Sequence, residues 1–197
     1  MPMIMPHRGR AAGGGVTALN AGVAEELRLR PLTFDDWPAV HDWARLPEAC
    51  RYQAWGPNTP EQTRDFVRTA AQPSTTRFVF VFLDGETVVG MGELNLRGSH
   101  QAEISYGIHP GRWGRGLATT AARLLVDLAF GEHGRHRVFA TCDPRNVASA
   151  RVLQKLGLRY EGRMRETELI RDGWRDSDLY AVLRHEWPTS VVSAAED

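Results

Sequence analysis

Trp113-Gly114-Arg115-Gly116-Leu117-Ala118-Thr119 decides how the rest of this chain is read, because a turn of small residues there opens a helix directly after a strand. Glycine has no side chain, so the backbone of such a turn can take dihedrals closed to other residues and approach a bound group closely. The free N–H groups at a helix start, with the positive end of its dipole, favour an anion at the same point. A phosphate-bearing ligand is therefore the first reading. Two common phosphate loops are excluded directly. A P-loop needs GxxxxGK[ST], and no Gly-Lys-Ser or Gly-Lys-Thr occurs in the chain. A dinucleotide fingerprint needs GxGxxG in the first strand-to-helix turn of a domain. Here the spacing is Gly111-x-x-Gly114-x-Gly116, the reverse order, and it follows the fourth predicted strand.

Working outward, Glu103 to Ile108 alternates polar and apolar residues and predicts the strand that leads into the turn. Ala121, Leu124, Leu125 and Leu128 share one face of the helix that leaves it. On the C-terminal side, Arg137–Cys142 predicts a strand, and 147–156 a helix with Asn146 as cap and Gly157 as terminator. Two long strands follow, about 160–170 and 174–186, joined at Arg171-Asp172-Gly173. On the N-terminal side, Leu27 to Leu32 alternates apolar and basic residues as a first strand, and Thr33 caps a helix carrying Trp37, Val40 and Trp43. A second helix starts at Thr59-Pro60-Glu61-Gln62, where Thr59 and Gln62 form a capping-box pattern and Pro60 suits the first helical position. Residues 77–83 are apolar on both faces, so that strand is buried on both sides, and Asp84-Gly85 turns it back into a partner at 87–96. The order β-α-α-β-β-β-α-β-α-β-β implies an α/β (α+β) fold with a mixed, mostly antiparallel central sheet of about seven strands flanked by helices.

Composition narrows the class. The 197 residues suit one domain with tails, read as 1–25 and 189–197 around a domain at 26–188. Lys plus Arg and Asp plus Glu both number 24, so no global basic field argues for nucleic acid. The longest purely apolar run, Phe78 to Leu83, is far too short to span a bilayer, and the first fifteen residues lack the apolar stretch of a secretory signal. Cys50 and Cys142 lie far apart in no metal or redox pattern, which points to free thiols in a reducing, cytoplasmic setting. The seven histidines form no zinc-ligand spacing, so no metal is expected.

The pattern Gln/Arg-x-x-Gly-x-Gly/Ala at a strand–loop–helix junction resembles the GCN5-related N-acetyltransferase (GNAT) superfamily, with Gly116 and Ala118 in its two small positions. Trp113 stands at the Gln/Arg place. That departure, Trp-Gly-x-Gly-x-Ala, resembles the RimJ/RimL-like branch that acetylates ribosomal-protein N-termini. Three further stretches are similar to that branch: 102–110 (AEISYGIHP), 146–158 (NVASARVLQKLGL), and Gly173-Trp174-Arg175-Asp176 with Tyr180. The resemblance covers about residues 27 to 187.

The resemblance implies acetyl-CoA as donor, bound where two neighbouring parallel strands splay apart. The amides of Gly114, Arg115, Gly116, Leu117 and Ala118, with Trp113 and Thr119 flanking, would hold the diphosphate, and Arg112 or Arg115 would add charge-assisted contacts. Asn146 and Ser149 would face the pantetheine and thiol, although a helix N-cap by itself accounts for Asn146. A backbone N–H near Ile108 would stabilise the carbonyl oxygen. Glu103 is the candidate base, its other reading being an exposed strand carboxylate, and Ser149 the candidate proton donor to the thiolate. An α-amine with a pKa near about 7.8 is already roughly a tenth neutral at pH 7, so a protein N-terminus needs only modest help to react. Tyr52 and Trp55 either wall the acceptor slot or pack the two N-terminal helices together. The acceptor expected from the resemblance is a protein or peptide N-terminus; a small amine such as an aminoglycoside or polyamine, and a non-catalytic acetyl-CoA sensor, are the competing readings. The oligomeric state stays open, a homodimer included.

Overall fold

The computed structural model describes residues 27–188, so the two tails expected from the sequence lie outside the described residues. A seven-stranded sheet organises the chain: β1 (Arg28–Pro31), β2 (Arg77–Asp84), β3 (Thr87–Arg97), β4 (Gln101–Ile108), β5 (Arg137–Cys142), β6 (Arg159–Ile170) and β7 (Gly173–Leu183). Their spatial order is β1-β2-β3-β4-β5-β7-β6. The β4–β5 pair is parallel and the others are antiparallel, as the mixed sheet read from the sequence requires.

Helices cover both faces. α4 (Leu117–Phe130) and α5 (Val147–Lys155) lie on one face. There Leu125, Val126 and Leu153 pack with Phe82, Leu94, Ile104, Val138 and Val182. α1 (Trp37–Ala44) and α3 (Pro60–Ala70) lie on the other, where Val40, Trp43, Ala44 and Val67 meet Val79 and Val81. Strand β2 therefore sends alternate residues into two cores, which is why its sequence is apolar throughout. Close packing also sets Gly92: a Cβ there would stand 2.6 Å from Phe82 and 2.9 Å from Leu125.

Local signals placed most boundaries. Thr59 and Gln62 close their capping box, with the Thr59 N–H donating to Gln62 Oε1 at 2.8 Å. Gly157, at φ +87°, ends the segment after α5. Three details differ from the sequence reading. A four-residue helix, α2 (Pro47–Cys50), interrupts the first connection, opened by a proline at its first position. The last strand stops at Leu183 rather than 186, because Glu186 reaches back to the Leu183 N–H and closes a 3-10 turn. β6 is irregular between Met164 and Glu168, with Glu166 at φ 51°.

The feature that makes a site is a split in the sheet. β4 and β5 pair only at Gln101↔Arg137, Ala102↔Val138 and Glu103↔Phe139. Beyond that, β4 stays paired with β3 as far as Gly90↔Ile108, and β5 stays with β7 as far as Cys142↔Asp178. Each strand keeps its outer partner, so a gap opens between 104–108 and 140–142.

Candidate active site

The glycine turn lies at the wide end of this gap. Gly114 and Gly116 have φ of +79° and +80°, and Gly116 caps α4. A Cβ at either position would meet nothing within 4 Å, so it is the left-handed backbone, not crowding by the chain, that demands glycine there. The first bonds of α4 run from the N–H groups of Thr119 and Thr120 to the Gly116 carbonyl. The N–H groups of Leu117 and Ala118 precede that ladder at the helix mouth, while the Leu117 side chain is buried in the core. Trp113 donates its indole N–H to the Ile108 carbonyl at 2.8 Å and pins the turn to the end of β4. Arg112 reaches Asp84 at 3.5 Å, and Arg115 makes no salt bridge among the described residues.

Strand alternation sets what lines the gap. The His109 N–H donates to Val89 on β3, so the peptide groups of Ile104, Tyr106 and Ile108 face the opposite way, toward the opening. Side chains of the same residues point to the α4–α5 face, where the Tyr106 hydroxyl lies 3.4 Å from Ser149 Oγ. Burial pushes the Tyr106 phenol well above its usual range. Asn146 caps α5 by accepting the Ser149 N–H at 3.2 Å, which holds Ser149 in the first turn. Cys142 completes this cluster. Its thiol is pushed up to about 11, by burial first and by the carboxylates of Asp178 and Asp143 next. At neutral pH roughly one such thiol in ten thousand is ionised, which argues against a covalent acyl-cysteine route.

Glu103 sits on the other face of the sheet, at the last paired rung before the split. Arg97 donates to it from Nε at 2.9 Å and Nη2 at 2.6 Å, both to Oε2, so Oε1 carries no part of that pair. Glu103 and Ser149 are thus on opposite faces, with Glu103 three residues along β4 from Tyr106, about 10 Å at 3.3 Å per residue. These two sequence candidates fall in separate groups, one on each face of the sheet.

Tyr52 and Trp55 belong to a third group. Neither joins the apolar cluster between α1 and α3, so the helix-packing alternative is not met. Tyr52 is flanked by the guanidiniums of Arg51 at 5.3 Å and Arg145 at 5.7 Å, and Trp55 is 41 % exposed. Arg145 clasps Asp143, whose carboxyl is held below its usual range; burial opposes this, and the Arg145 bonds together with the charges of Arg145 and Arg175 outweigh it. Gly56 lies so close beneath that a Cβ would stand 2.3 Å from Cys50 Sγ.

Sequence reasoning missed Tyr106, Asp143, Arg145 and Arg175. For Tyr106 the signal was present, since alternation from Ile104 puts it on the core face. For the charged residues it was not, because their partners are far off in the chain or depend on the turn geometry.

Comparison with known proteins agrees with this architecture. Residues 26–159 match the model of the acetyltransferase (GNAT) domain family. The chain is 30 % identical over 164 residues to the uncharacterized N-acetyltransferase YnaD of Bacillus subtilis, spanning 83 % of this chain and 96 % of that protein. It is 28 % identical to the spermidine N(1)-acetyltransferase of Escherichia coli over 83 % of this chain and 89 % of that one. Among solved structures, a GNAT-family acetyltransferase from Bacillus anthracis superposes with a TM-score of 0.73 at 32 % identity, covering 83 % of this chain and 98 % of its own. RimL, a ribosomal L7/L12 α-N-protein acetyltransferase, shares the fold with a TM-score of 0.72 at 21 % identity, covering 80 % and 90 %. With a sheet split beside a glycine-capped helix and a family match over most of its folded residues, this chain belongs to the GNAT family of N-acetyltransferases.

Proposed function

We propose that this enzyme transfers the acetyl group of acetyl-CoA to the α-amine of a protein or peptide N-terminus, by direct attack within a ternary complex. The amides of Gly114 to Ala118 would receive the diphosphate at the positive end of α4, with Arg115 supplying charge. The pantetheine arm would run into the gap, where the Ile108 N–H is oriented to hold the thioester oxygen as it gains charge. The amine nitrogen forms the new C–N bond and the C–S bond breaks. The amine's proton leaves toward Glu103 through a chain of waters, since Glu103 lies on the far face and about 16 Å along β4 from Ile108 at 3.3 Å per residue. The thiolate takes a proton relayed through the Ser149 hydroxyl on the near face, which regains one from solvent. A thiol with a pKa of about 8.5 is a good leaving group, so this last step asks little of the protein. Positioning carries most of the catalysis.

The observation that favours an N-terminal α-amine over a polycation is the state of the partly buried carboxylates of the central strands and the turn after β5. Asp143 is held by Arg145, Asp178 by Arg163, Glu103 by Arg97 and Glu93 by Arg77. A polyamine pairing with any of these would have to displace its arginine. The similarity to a spermidine acetyltransferase makes that polyamine the reading to test against. Intact-mass analysis after incubation with acetyl-CoA, peptides with different N-terminal residues, spermidine and an aminoglycoside decides it. A gain of one acetyl group on peptides is expected; turnover of spermidine or the aminoglycoside alone overturns the proposal.

A further inference from the structure

The 50–56 loop and the tip of the β6–β7 hairpin are joined by one side chain. Arg171, at the tip of the β6–β7 hairpin, donates from Nη2 to the Cys50 carbonyl at 2.5 Å, and from Nη1 to the carbonyls of Gly56 at 2.6 Å and Trp55 at 2.9 Å. These partners lie 115 to 121 residues away in the chain. The hairpin extends past the end of β5, because β7 begins at Gly173 while its pairing with β5 begins only at Asp178. The loop after α2 starts from the α1–α3 side of the sheet. Arg171 therefore bridges the two arms of the split across its open end.

We infer that Arg171 is the positioning residue of the acceptor site: it clamps the Tyr52–Trp55 loop to the hairpin and so sets where an incoming amine can lie. Three carbonyls gathered on one guanidinium require its planar fork of donors, which an ammonium does not reproduce. The same loop also meets the turn after β5 through Tyr52 and Arg145. From there Arg145 holds Asp143, which lies 4.0 Å from Arg175, and Arg175 pairs with Asp172 beside Arg171. The contacts form a closed ring that joins the loop, the turn after β5 and the hairpin. Arg171 is the member whose own bonds all go to main-chain carbonyls, so its loss releases a loop without leaving a carboxylate unpaired. It acts on the acceptor loop and not on the glycine turn, whose contacts are with Ile108 and Asp84.

The inference is tested by amide hydrogen exchange on the full chain, comparing wild type with Arg171→Met and Arg171→Lys. Exchange across residues 51–57 should rise tenfold or more in Arg171→Met and stay raised in Arg171→Lys, while α4 and α5 keep wild-type protection. Calorimetry with CoA should give a dissociation constant within twofold of wild type for both variants. Unchanged exchange in the 51–57 loop overturns the clamp, and so does a uniform rise over the whole sheet. A kinetic arm rests on the amine-acetylation reading. For a peptide that wild type acetylates, KM for the peptide should rise tenfold or more with kcat within threefold, and a fall in kcat at constant KM contradicts a positioning role. If wild type acetylates no amine, the proposed function fails while the exchange data still decide the clamp.

Discussion

The hydroxyls of Tyr106 and Ser149 meet across the junction of β4 and α5, 3.4 Å apart and 43 residues apart in sequence. A hydroxyl both donates and accepts, so if the phenol donates to Ser149 Oγ, the serine proton is free to point into the gap. The phenol itself is a poor proton source. Its burial holds it well above a thiol in pKa, so giving up its proton would leave a buried phenolate. Ser149→Ala should lower kcat about tenfold to a hundredfold, and Tyr106→Phe by less. Tyr106→Phe should add nothing in a Ser149→Ala background. Steady-state thiol release on the four proteins checks this, and additive losses would show that Tyr106 acts independently of Ser149.

Gly116→Ala forces a Cβ onto a backbone at φ +80°, a conformation that costs an L-residue about 1–2 kcal/mol. Nothing crowds the new methyl group, so the chain should still fold, with a lowered Tm. The strained cap should also turn amides away from the bound diphosphate. Calorimetry should show CoA affinity down about tenfold, since that much strain corresponds to about one factor of ten. An unchanged affinity would mean that the turn does not hold the ligand.

Replacing Glu103 by Gln keeps the size of the side chain and its place beside Arg97 while removing the base. A positioned general base contributes about a hundredfold to ten-thousandfold. The loss should be largest near pH 6.5 and shrink above pH 8.5, because an α-amine with a pKa of about 7.8 then arrives already neutral. A pH–rate profile of kcat/KM with a peptide acceptor reads this directly. A deficit constant across pH would assign Glu103 to structure alone.

Asp36 tests the N-terminal part of the fold. Its carboxylate accepts from Arg30 at 2.6 and 2.7 Å and from the Thr33 N–H at 2.8 Å, and it is nearly buried. Burial alone would raise its pKa, but the Arg30 and Thr33 bonds outweigh it and hold the group below the usual carboxylate range. A depressed folded-state pKa stabilises above the unfolded value and loses that contribution as pH falls through the folded one. Asp36→Asn should therefore cost about 1–3 kcal/mol at pH 7. The difference from wild type should fade below about pH 4. Urea unfolding at a series of pH values provides the measurement; a difference that grows on acidification would refute the assignment.

Leu125 is fully buried where α4 meets Phe82 and Gly92. Leu125→Ala should cost about 2–5 kcal/mol by removing apolar contact and leaving a cavity. Chemical denaturation would reveal it as a drop in midpoint at constant slope.

Much of the fold was legible because its signals are local. The β5 boundaries follow from alternation in six residues, and α3 from a capping box and a proline within four. The irregular stretch of β6 around Glu166 was not legible. Its bond from the Glu166 N–H to Asp176 exists only once β6 and β7 are in register. Among site residues, the glycine turn could be read from spacing because the dihedrals it needs exclude other residue types. Glu103 could be placed on a strand beside that turn, but not on the opposite face from Ser149, since a strand's faces acquire meaning only when helices cover them.

The sequence by itself determined the order of elements, the two-sided burial of β2 and the glycine-capped helix, because periodicity, capping and turn chemistry act over a few residues. Tertiary structure alone decided that β4 and β5 part after three paired residues, that Tyr106 reaches Ser149, and that Arg171 ties residues 50–56 to the far hairpin. These contacts span tens of residues or more. They depend on which neighbour each strand keeps when the sheet opens, a competition settled by packing over the whole domain.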